Sequence, residues 1–587
     1  MYFKIVALDL DGTIAMHDRI ASGTWKILKE IKKSGRAILI VTGRRLDDIQ
    51  QLGPLEDLCE AIIAENGAAI YIPSNQSVIL PFGHLPSELV EKLSALNIPL
   101  EKGMSIVATR EPHGQLVVEA ISNMGSAATI EYNKGAIMII PPGASKGTGL
   151  MVALHELGYS HHNVVAFGDA ENDRSLFEQA EVALAVENAD ASIKKLADIE
   201  LEEPDGEGVA NFMRKLLEKE FPPGLKGRQD RKMIIGYRED SEAMMLDPLS
   251  FTLKNVGIFG SSGSGKSWLA GLIAEKLLRL EYQICIIDPE GDYRGLKAFP
   301  NTLLLGGEGS PPPHSSFVST LLEYSEMSLV MDLSQYTHQE KLEYVAEIME
   351  TLLNLRERRG KPHWFLIDEA HYFLKKGSKL QWTDRIEEGG FALLSYRPRD
   401  IDDSYIKKLD NLMITHFEED DETERLISTV CENSMDLQIR EKLPFLTDRQ
   451  VCYFIKEESR KCKIQQGILE MESTRRKVPH IRHLNKYLRA PLPADKQFYF
   501  KELDKTRIPS ASSLYDFMRI LPRVPSEILA YHLHRGDFEA WTSSTLHDEE
   551  LSRRIHKIGN RQLEGKELGQ ALTDAVTSRY EELEILV

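Results

Sequence analysis

At 587 residues the chain is too long for one hydrophobic core, and its length implies about three domains. A content of 42% hydrophobic and 27% charged residues is ordinary for a globular protein and excludes disordered and fibrous classes. The formal charge of -19 argues against a surface given over wholly to nucleic-acid backbones, although a local basic groove is compatible with it. Cys59, Cys285, Cys431, Cys452 and Cys462 form no CxxC pair and have no histidine at ligand spacing, so neither a disulfide framework nor a zinc site is expected. A reducing, cytoplasmic setting suits them, and no apolar run approaches the roughly 18 residues that span a bilayer.

The chain opens directly on a strand, MYFKIVALDLDGT, with no leader pattern. An amphipathic stretch near Ser22 to Ser34 follows, then RAILIVTG, another helix and AIIAENG. Strand followed by helix, repeated, predicts an α/β fold with a parallel sheet covered on both faces. The pattern returns at VVAFGD, begins again at NVGIFG and recurs at QICIIDPE, SLVMDLS and HWFLIDEA, which implies a second sheet. FPPGLKGRQDR breaks every period between them, and RAPLPADK precedes a tail with helical spacing. The expected division is 1–220, a linker at 221–232, 233–495, and a small helical module at 496–587.

The first chemistry lies at strand ends. ALDLDGT puts Asp9 and Asp11 at i and i+2 where an apolar strand ends, and Gly12 lets the chain turn so that both acids enter one crevice. Two acids this close favour a shared cation or a retained proton. Thr42, ending AILIVTG, suits a hydrogen bond to a phosphoryl oxygen, and Lys146 in PPGASKGTGL could neutralise phosphate charge. VVAFGDAENDRSLF ends a further strand in Asp169 and Asp173. Lys134, in EYNKG between two strands, competes for the lysine role.

DLDGT, VTG, SKG and GDAEND, in that order, resemble the four motifs of haloacid-dehalogenase-like phosphatases, over residues 1–218. IIAENGAAIY is similar to the Cof-type and archaeal phosphoglycolate-phosphatase-like branch, which implies a Rossmann-like domain with a small inserted α/β cap at about 83–141. The resemblance makes Asp9 the nucleophile and Asp11 the acid and later base. It gives Thr42 and Lys146 the phosphoryl oxygens. Mg2+ would be held by Asp9, the Asp11 carbonyl and Asp169, with Asp173 supporting or joining them.

The second chemistry is a nucleotide loop. NVGIFGSSGSGKSW is a strand, a glycine-rich loop and a helix start, and Gly260 to Ser267 fit GxxxxGK[ST]. Gly260, Gly263 and Gly265 let amides wrap phosphates, Lys266 reaches the terminal phosphates of ATP, and Ser267 is placed for magnesium. HWFLIDEAHYF ends in Asp368, for the metal shell, and Glu369, to orient or deprotonate water. CIIDPEGDYRGL and FALLSYRPRDID resemble the HerA and FtsK group of ATPases, in a P-loop NTPase parallel-sheet domain. Tyr396 stands where that group usually has glutamine, which leaves Ser395 and Arg397 as candidates for the sensor. Only MIIGYREDSEAMMLDPLSF separates the linker from the loop strand, so the β-barrel that begins HerA proteins is expected to be absent or vestigial.

Basic clusters at 356–361, 460–463 and 475–483 are expected to be solvated faces rather than DNA contacts. His532 and His534 with Asp537 are poor joint metal ligands, because i and i+2 diverge on a helix, and packing or hydrogen bonding is expected instead. The sum is a phosphomonoesterase acting on a small phosphorylated substrate, fused to an ATPase that drives assembly or regulation. A HerA-type DNA translocase or defence effector, and a non-catalytic regulatory module set by ATP, are the alternatives. Homo-oligomerisation is open, and no membrane is expected.

Overall fold

The computed structural model describes residues 2–49, 54–133, 135–218, 231–238, 241–307, 310–323, 326–377, 380–417, 420–431, 437–447, 449–456, 464–471, 488, 492, 497–501, 509–546, 548–561 and 563–584. Lys134, residues 221–230, most of 489–496 and the basic clusters at 460–463 and 475–483 lie outside them.

Ile5–Asp9 and Ala37–Val41 are buried along their whole length, as strands covered on both faces must be. They lie side by side in parallel at the centre of an eight-stranded sheet. Val164–Gly168, Val182–Ala185 and Ile199–Glu200 continue it in parallel on one side, and Ala61–Ala64 on the other. Ala69–Ile72 and Ser77–Ile79 then extend it antiparallel. The helix Ser22–Lys33 buries Thr24, Ile27, Leu28 and Ile31, a stripe at i, i+3, i+4 and i+7, and ends with Lys32 and Lys33 at its negative pole.

A four-stranded antiparallel sheet, in the order Thr129–Asn133, Ala136–Ile140, Val107–Arg110, Glu101–Lys102, stands over the carboxyl edge of this sheet as a cap. One face carries the helices Ser87–Ala95 and Gly114–Met124 through Leu89, Leu93, Val117, Val107 and Ile139. The other meets Ala68, just before the strand Ala69–Ile72, and Ala144, in the loop before the helix Lys146–Leu157, through Met138, Ile140 and Ile106.

The second large sheet has eleven strands. The loop strand Val256–Phe259 lies between Asn411–Ile414 and Phe391–Ser395, and beyond the latter come Trp364–Ile367, Ile284–Asp288, Ser328–Asp332 and Thr302–Gly306, all parallel. Met233–Arg238 and Ala243–Leu246, where a barrel would begin in a HerA protein, form instead a hairpin that extends this sheet through Ile464–Met471 and Gln450–Lys456.

The two sheets share a docked interface. Leu249 belongs to the hydrophobic core of the first sheet. Asn163 Nδ2 donates to the Tyr2 carbonyl at 2.8 Å and to the Gly360 carbonyl at 3.0 Å. The cluster at 356–361, expected to be a solvated face, is only partly so: Arg358 is exposed and Arg359 half-buried. Arg356 and Lys361 are buried; Arg356 donates to the Gly389 carbonyl and lies over Phe365 and Phe391, while Arg359 donates to the Leu157 carbonyl at 3.0 Å. Arg356 is buried by packing within the second sheet's own part, and Arg359 is the one that crosses to the first; in both, packing outweighs the solvation that a run of basic residues ordinarily seeks.

The carboxyl-terminal helices Leu514–Ile520, Ser526–His534, Asp537–Ser544, Glu549–Gly559 and Gly565–Glu584 have a core of their own. His532 is hydrogen-bonded on both ring nitrogens, to Asp537 and to the Lys501 amide, while His534 turns to the Ala530 carbonyl. No helix among the described residues is long and apolar enough to cross a membrane.

Candidate active sites

Asp9, at the end of its strand, is buried, and Lys146 Nζ donates to its Oδ1 at 2.6 Å. The same ammonium donates to Asp173 Oδ1 at 2.6 Å, and Thr13 Oγ1 donates to Asp9 Oδ2 at 3.1 Å. Asp173 Oδ2 accepts the backbone amides of Asp169 and Ala170, which folds the turn after Val164–Gly168 back on the site.

Lys146 is the first residue of the helix Lys146–Leu157, whose start is held by a Ser145–Thr148 capping box. Glycines let this helix sit against bare backbone. A Cβ on Gly147 would lie 2.2 Å from the Ser175 carbonyl oxygen, and one on Gly149 2.5 Å from the Gly67 Cα. The glycines of SKGTG and of ENG are therefore what brings the ammonium to Asp9.

Carboxylate oxygens of Asp9, Asp169 and Asp173 all lie within 4.8 Å of one another. Burial, then the charge of Asp173, pushes the Asp9 carboxyl well above its usual range, against the pull of Lys146. For Lys146, burial opposes the charged form, but Asp173 and Asp9 outweigh it and raise its pKa. Three carboxylates against one ammonium leave two formal negative charges in a dry space. A hard divalent cation fits that donor set.

Asp11 stands apart from this trio. Its carboxylate is gripped by Arg44, through Nε at 2.7 Å and through Nη2, and the same guanidinium reaches Asp18. Thr42 is buried, with its hydroxyl accepting the Arg44 amide at 3.1 Å. Arg44 and Thr13 were not singled out in the sequence, although both sit inside its motifs, in VTGRR and DLDGT.

In the second sheet, Gly263 (φ +84°) and Gly265 (φ +96°) take left-handed conformations that favour glycine, and Gly265 precedes the helix Lys266–Arg279. A Cβ on Gly260 would lie 2.0 Å from Thr415 Oγ1. Thr415 also bonds Ser264 Oγ at 2.6 Å, and the His416 carbonyl accepts the Ser261 amide at 2.9 Å. The loop is thus backed from the neighbouring strand, by residues that carry no motif. Lys266 Nζ donates to the Ser261 carbonyl at 2.7 Å, and Ser267 is the second residue of the helix.

Asp368 and Glu369 follow Trp364–Ile367, one strand removed from the loop strand. Burial, then Glu369 and Asp288, raises the Asp368 carboxyl well above its usual range, and Lys266 acts against them. Ser395 ends the intervening strand and bonds His371 Nδ1 at 3.0 Å, and that nitrogen is 3.4 Å from Glu369 Oε2. Of the sensor candidates, Ser395 lies within this chain, while Arg397 stacks on Tyr396. Asp288 accepts the amides of Gly291, Asp292 and Tyr293 and shapes the DPEGDY turn.

Residues 6–111 and 96–213 match the family of haloacid dehalogenase-like hydrolases. The phosphoglycolate phosphatase of Methanopyrus kandleri is 29% identical over 37% of this chain and 98% of its own length. Phosphoglycolate phosphatase 2 of Saccharolobus solfataricus is 30% identical over 37% of this chain and 94% of its own. The chain belongs to the haloacid dehalogenase-like hydrolases. A solved haloacid dehalogenase-like hydrolase from Bacteroides thetaiotaomicron is similar over 36% of this chain and 99% of its own, with 20% identity and a TM-score of 0.33. Residues 235–439 match the central domain of helicase HerA. The protein is therefore a haloacid dehalogenase-like hydrolase joined to a HerA-type central domain. The hydrolase part carries the Asp9 cluster, and the HerA-type part carries the P-loop.

Proposed function

We propose that the protein is a magnesium-dependent phosphomonoesterase that works through an aspartyl-phosphate, coupled to an ATP-hydrolysing domain that drives assembly or regulation. The observation that carries this reading is the buried cluster of Asp9, Lys146, Asp169 and Asp173. An Asp9 carboxylate oxygen attacks the phosphorus and the ester bond to the leaving oxygen breaks. Asp11 gives that oxygen its proton, then takes one from the water that hydrolyses the aspartyl-phosphate. For this, Asp11 must exchange its hold on Arg44 when substrate enters, which leaves the guanidinium free to face phosphate. Lys146 and Thr42 bind phosphoryl oxygens where negative charge builds. Magnesium, held by Asp9, Asp169, the Asp11 carbonyl and a supporting Asp173, would supply neutralisation of the phosphoryl charge.

In the HerA-type part, the amides of Gly260 to Gly265 would wrap the phosphates of ATP, with Lys266 leaving the Ser261 carbonyl for the terminal phosphates. Ser267 and Asp368 suit the magnesium that accompanies ATP. Glu369 suits the attacking water, oriented through His371 and Ser395. The expected divisions at 221–232 and 495 remain part of this proposal.

The test is a screen of the purified protein against small phosphomonoesters with magnesium, beside Asp9→Asn, with and without ATP. Turnover lost in the variant supports the reading, and absence of turnover under every condition rejects it. The HerA match favours a second reading, DNA translocation, in which the chain would bind DNA with a steep salt dependence. Of the 356–361 cluster, Arg356 and Lys361 are buried and so not placed to meet a phosphate backbone.

A further inference from the structure

The strands that deliver acids to the two sites start from the docked interface. In the hydrolase part, Tyr2 lies just ahead of Ile5–Asp9 and Asn163 immediately precedes Val164–Gly168. In the HerA-type part, Gln283 immediately precedes Ile284–Asp288 and His363 immediately precedes Trp364–Ile367. All four residues are buried. The far ends of these strands carry Asp9 and Asp169 in one part and Asp288 and Asp368 in the other. The two parallel sheets therefore meet by their amino edges, and their sites face away from each other, each about one strand length from the contact, roughly 17 Å for five residues.

Hydrogen bonds and ring contacts join the strand starts across this contact. His363 Nδ1 accepts the Gln283 amide at 3.0 Å, and its Nε2 lies 3.3 Å from Asn163 Oδ1. Asn163 Nδ2 donates in turn to the Tyr2 carbonyl. His162 makes a second link. Its Nε2 lies 2.8 Å from the carbonyl of Leu280, which caps the P-loop helix Lys266–Arg279, and its ring is 3.6 Å from that of Tyr282, centroid to centroid. The Tyr2 and Tyr282 rings stand 5.8 and 5.7 Å from that of His363. A close-packed and bonded node of this kind passes a displacement on instead of absorbing it.

The source of a displacement lies at the other end of the same helix. Lys266 is its first residue and donates to the Ser261 carbonyl. Nucleotide phosphates are a second set of acceptors, and moving to them takes Lys266 off that carbonyl and biases the helix it opens. The helix runs unbroken from Lys266 to its cap at Leu280, so its two ends move as one rigid element.

We propose that ATP bound at the P-loop regulates the phosphatase site through His162. The helix Lys266–Arg279 shifts against the His162 ring, and the strand Val164–Gly168, which starts two residues after His162, carries the shift to Asp169. This inference rests on the two activities proposed above and names the contact that couples them.

The experiment measures kcat/KM of the full-length protein for p-nitrophenyl phosphate with magnesium, with and without saturating AMP-PNP, a non-hydrolysable ATP analogue. Wild type, His162→Phe, Tyr282→Phe and Lys266→Ala are compared, with Asp9→Asn as the reference for the chemistry and equilibrium binding of AMP-PNP as the reference for the nucleotide site. In the wild type AMP-PNP should change kcat/KM by at least about fivefold. His162→Phe keeps a ring against Tyr282 and loses the Leu280 bond, so it should bring that change below about twofold, with turnover in the absence of nucleotide within about threefold of the wild type. Tyr282→Phe keeps the stacking and loses the bond to Glu181, and it should weaken the change in the same direction if His162→Phe fails to fold. Hydrogen exchange needs no variant: in the wild type AMP-PNP should alter amide protection over residues 161–169. Wild-type turnover or exchange unmoved by AMP-PNP overturns the coupling, and so does a nucleotide effect that both ring variants keep in full. An effect that survives in Lys266→Ala overturns it too, as competition at the hydrolase site. In each of these cases Asp9-dependent turnover still upholds the phosphatase. Absence of that turnover, or of AMP-PNP binding, in the wild type overturns the activity concerned and the coupling with it.

Discussion

Tyr282, three residues beyond the P-loop helix, donates its hydroxyl to Glu181 Oε1 at 2.7 Å, and both residues are buried. Glu181 immediately precedes the strand Val182–Ala185, next to the one that delivers Asp169, so this bond ties the frame of one site to the frame of the other. The other Glu181 oxygen lies 2.6 Å from His162 Nδ1 and accepts from Arg231 at 2.6 Å. His162 Nε2 reaches the Leu280 carbonyl at 2.8 Å, and its ring stacks on Tyr282.

Removing Glu181 should undo this interface. Glu181→Ala leaves His162 and Tyr282 with buried, unanswered donors and takes the ion-pair partner of half-buried Arg231, a loss of about 3–5 kcal/mol. Thermal unfolding would show it as a lowered or split transition. Burial alone would raise the Glu181 carboxyl, but His162, Arg231 and Tyr282 together hold it below its usual range. A depressed carboxyl contributes stability that is present above its ordinary titration near pH 4.5 and lost as pH falls through the lower folded value. The stability gap between the wild type and Glu181→Gln should therefore be full at pH 6 to 7 and close on further acidification.

The two reactions should separate by mutation. Asp9→Asn is expected to remove phosphatase turnover and spare ATP hydrolysis, and Lys266→Ala to do the reverse, each by at least about a hundredfold. Steady-state assays of both reactions on both variants decide it. A variant that silenced both reactions would reject independent sites.

Much of this was legible because parallel strands end along one edge of a sheet. Asp9, Thr42 and Asp169 each close an apolar run, and that alone predicts a shared crevice. Gly260 to Ser267 is equally plain, since strand, loop and helix are contiguous. What was hidden comes from distant pairing. Arg44 gripping Asp11 depends on where the VTG turn aims its next side chain, and Thr415 backs Gly260 from 155 residues away in the chain. The basic run at 356–361 misled because sequence carries charge but not burial.

Magnesium should stabilise the hydrolase part by relieving repulsion among Asp9, Asp169 and Asp173. At a concentration of about 100 Kd the gain is about 2.7 kcal/mol, read as a rise in the melting temperature. Asp169→Asn should abolish most of that rise, and chelation of the metal should reverse it in the wild type. An equal rise in the variant would show that the metal binds elsewhere, with the P-loop as the first alternative to examine through Ser267→Ala.

Glu369→Gln is expected to keep ATP binding and lose hydrolysis by about a hundredfold or more. Glu369 sits at the end of the acidic strand, 3.4 Å from His371, and His371 is bonded in turn to Ser395 on the strand beside the P-loop. Gln fills the same space and keeps the acceptor, so Lys266 and the glycine amides would still hold the nucleotide. What it lacks is the basicity needed to take a proton from water. Equilibrium binding of ATP beside single-turnover hydrolysis separates the two effects. Unchanged hydrolysis would remove Glu369 from the chemistry and leave Asp368 or the Ser395–His371 pair to orient the water. Ser395→Ala, which frees His371, should by contrast lower the rate only partly, because the carboxylate itself remains.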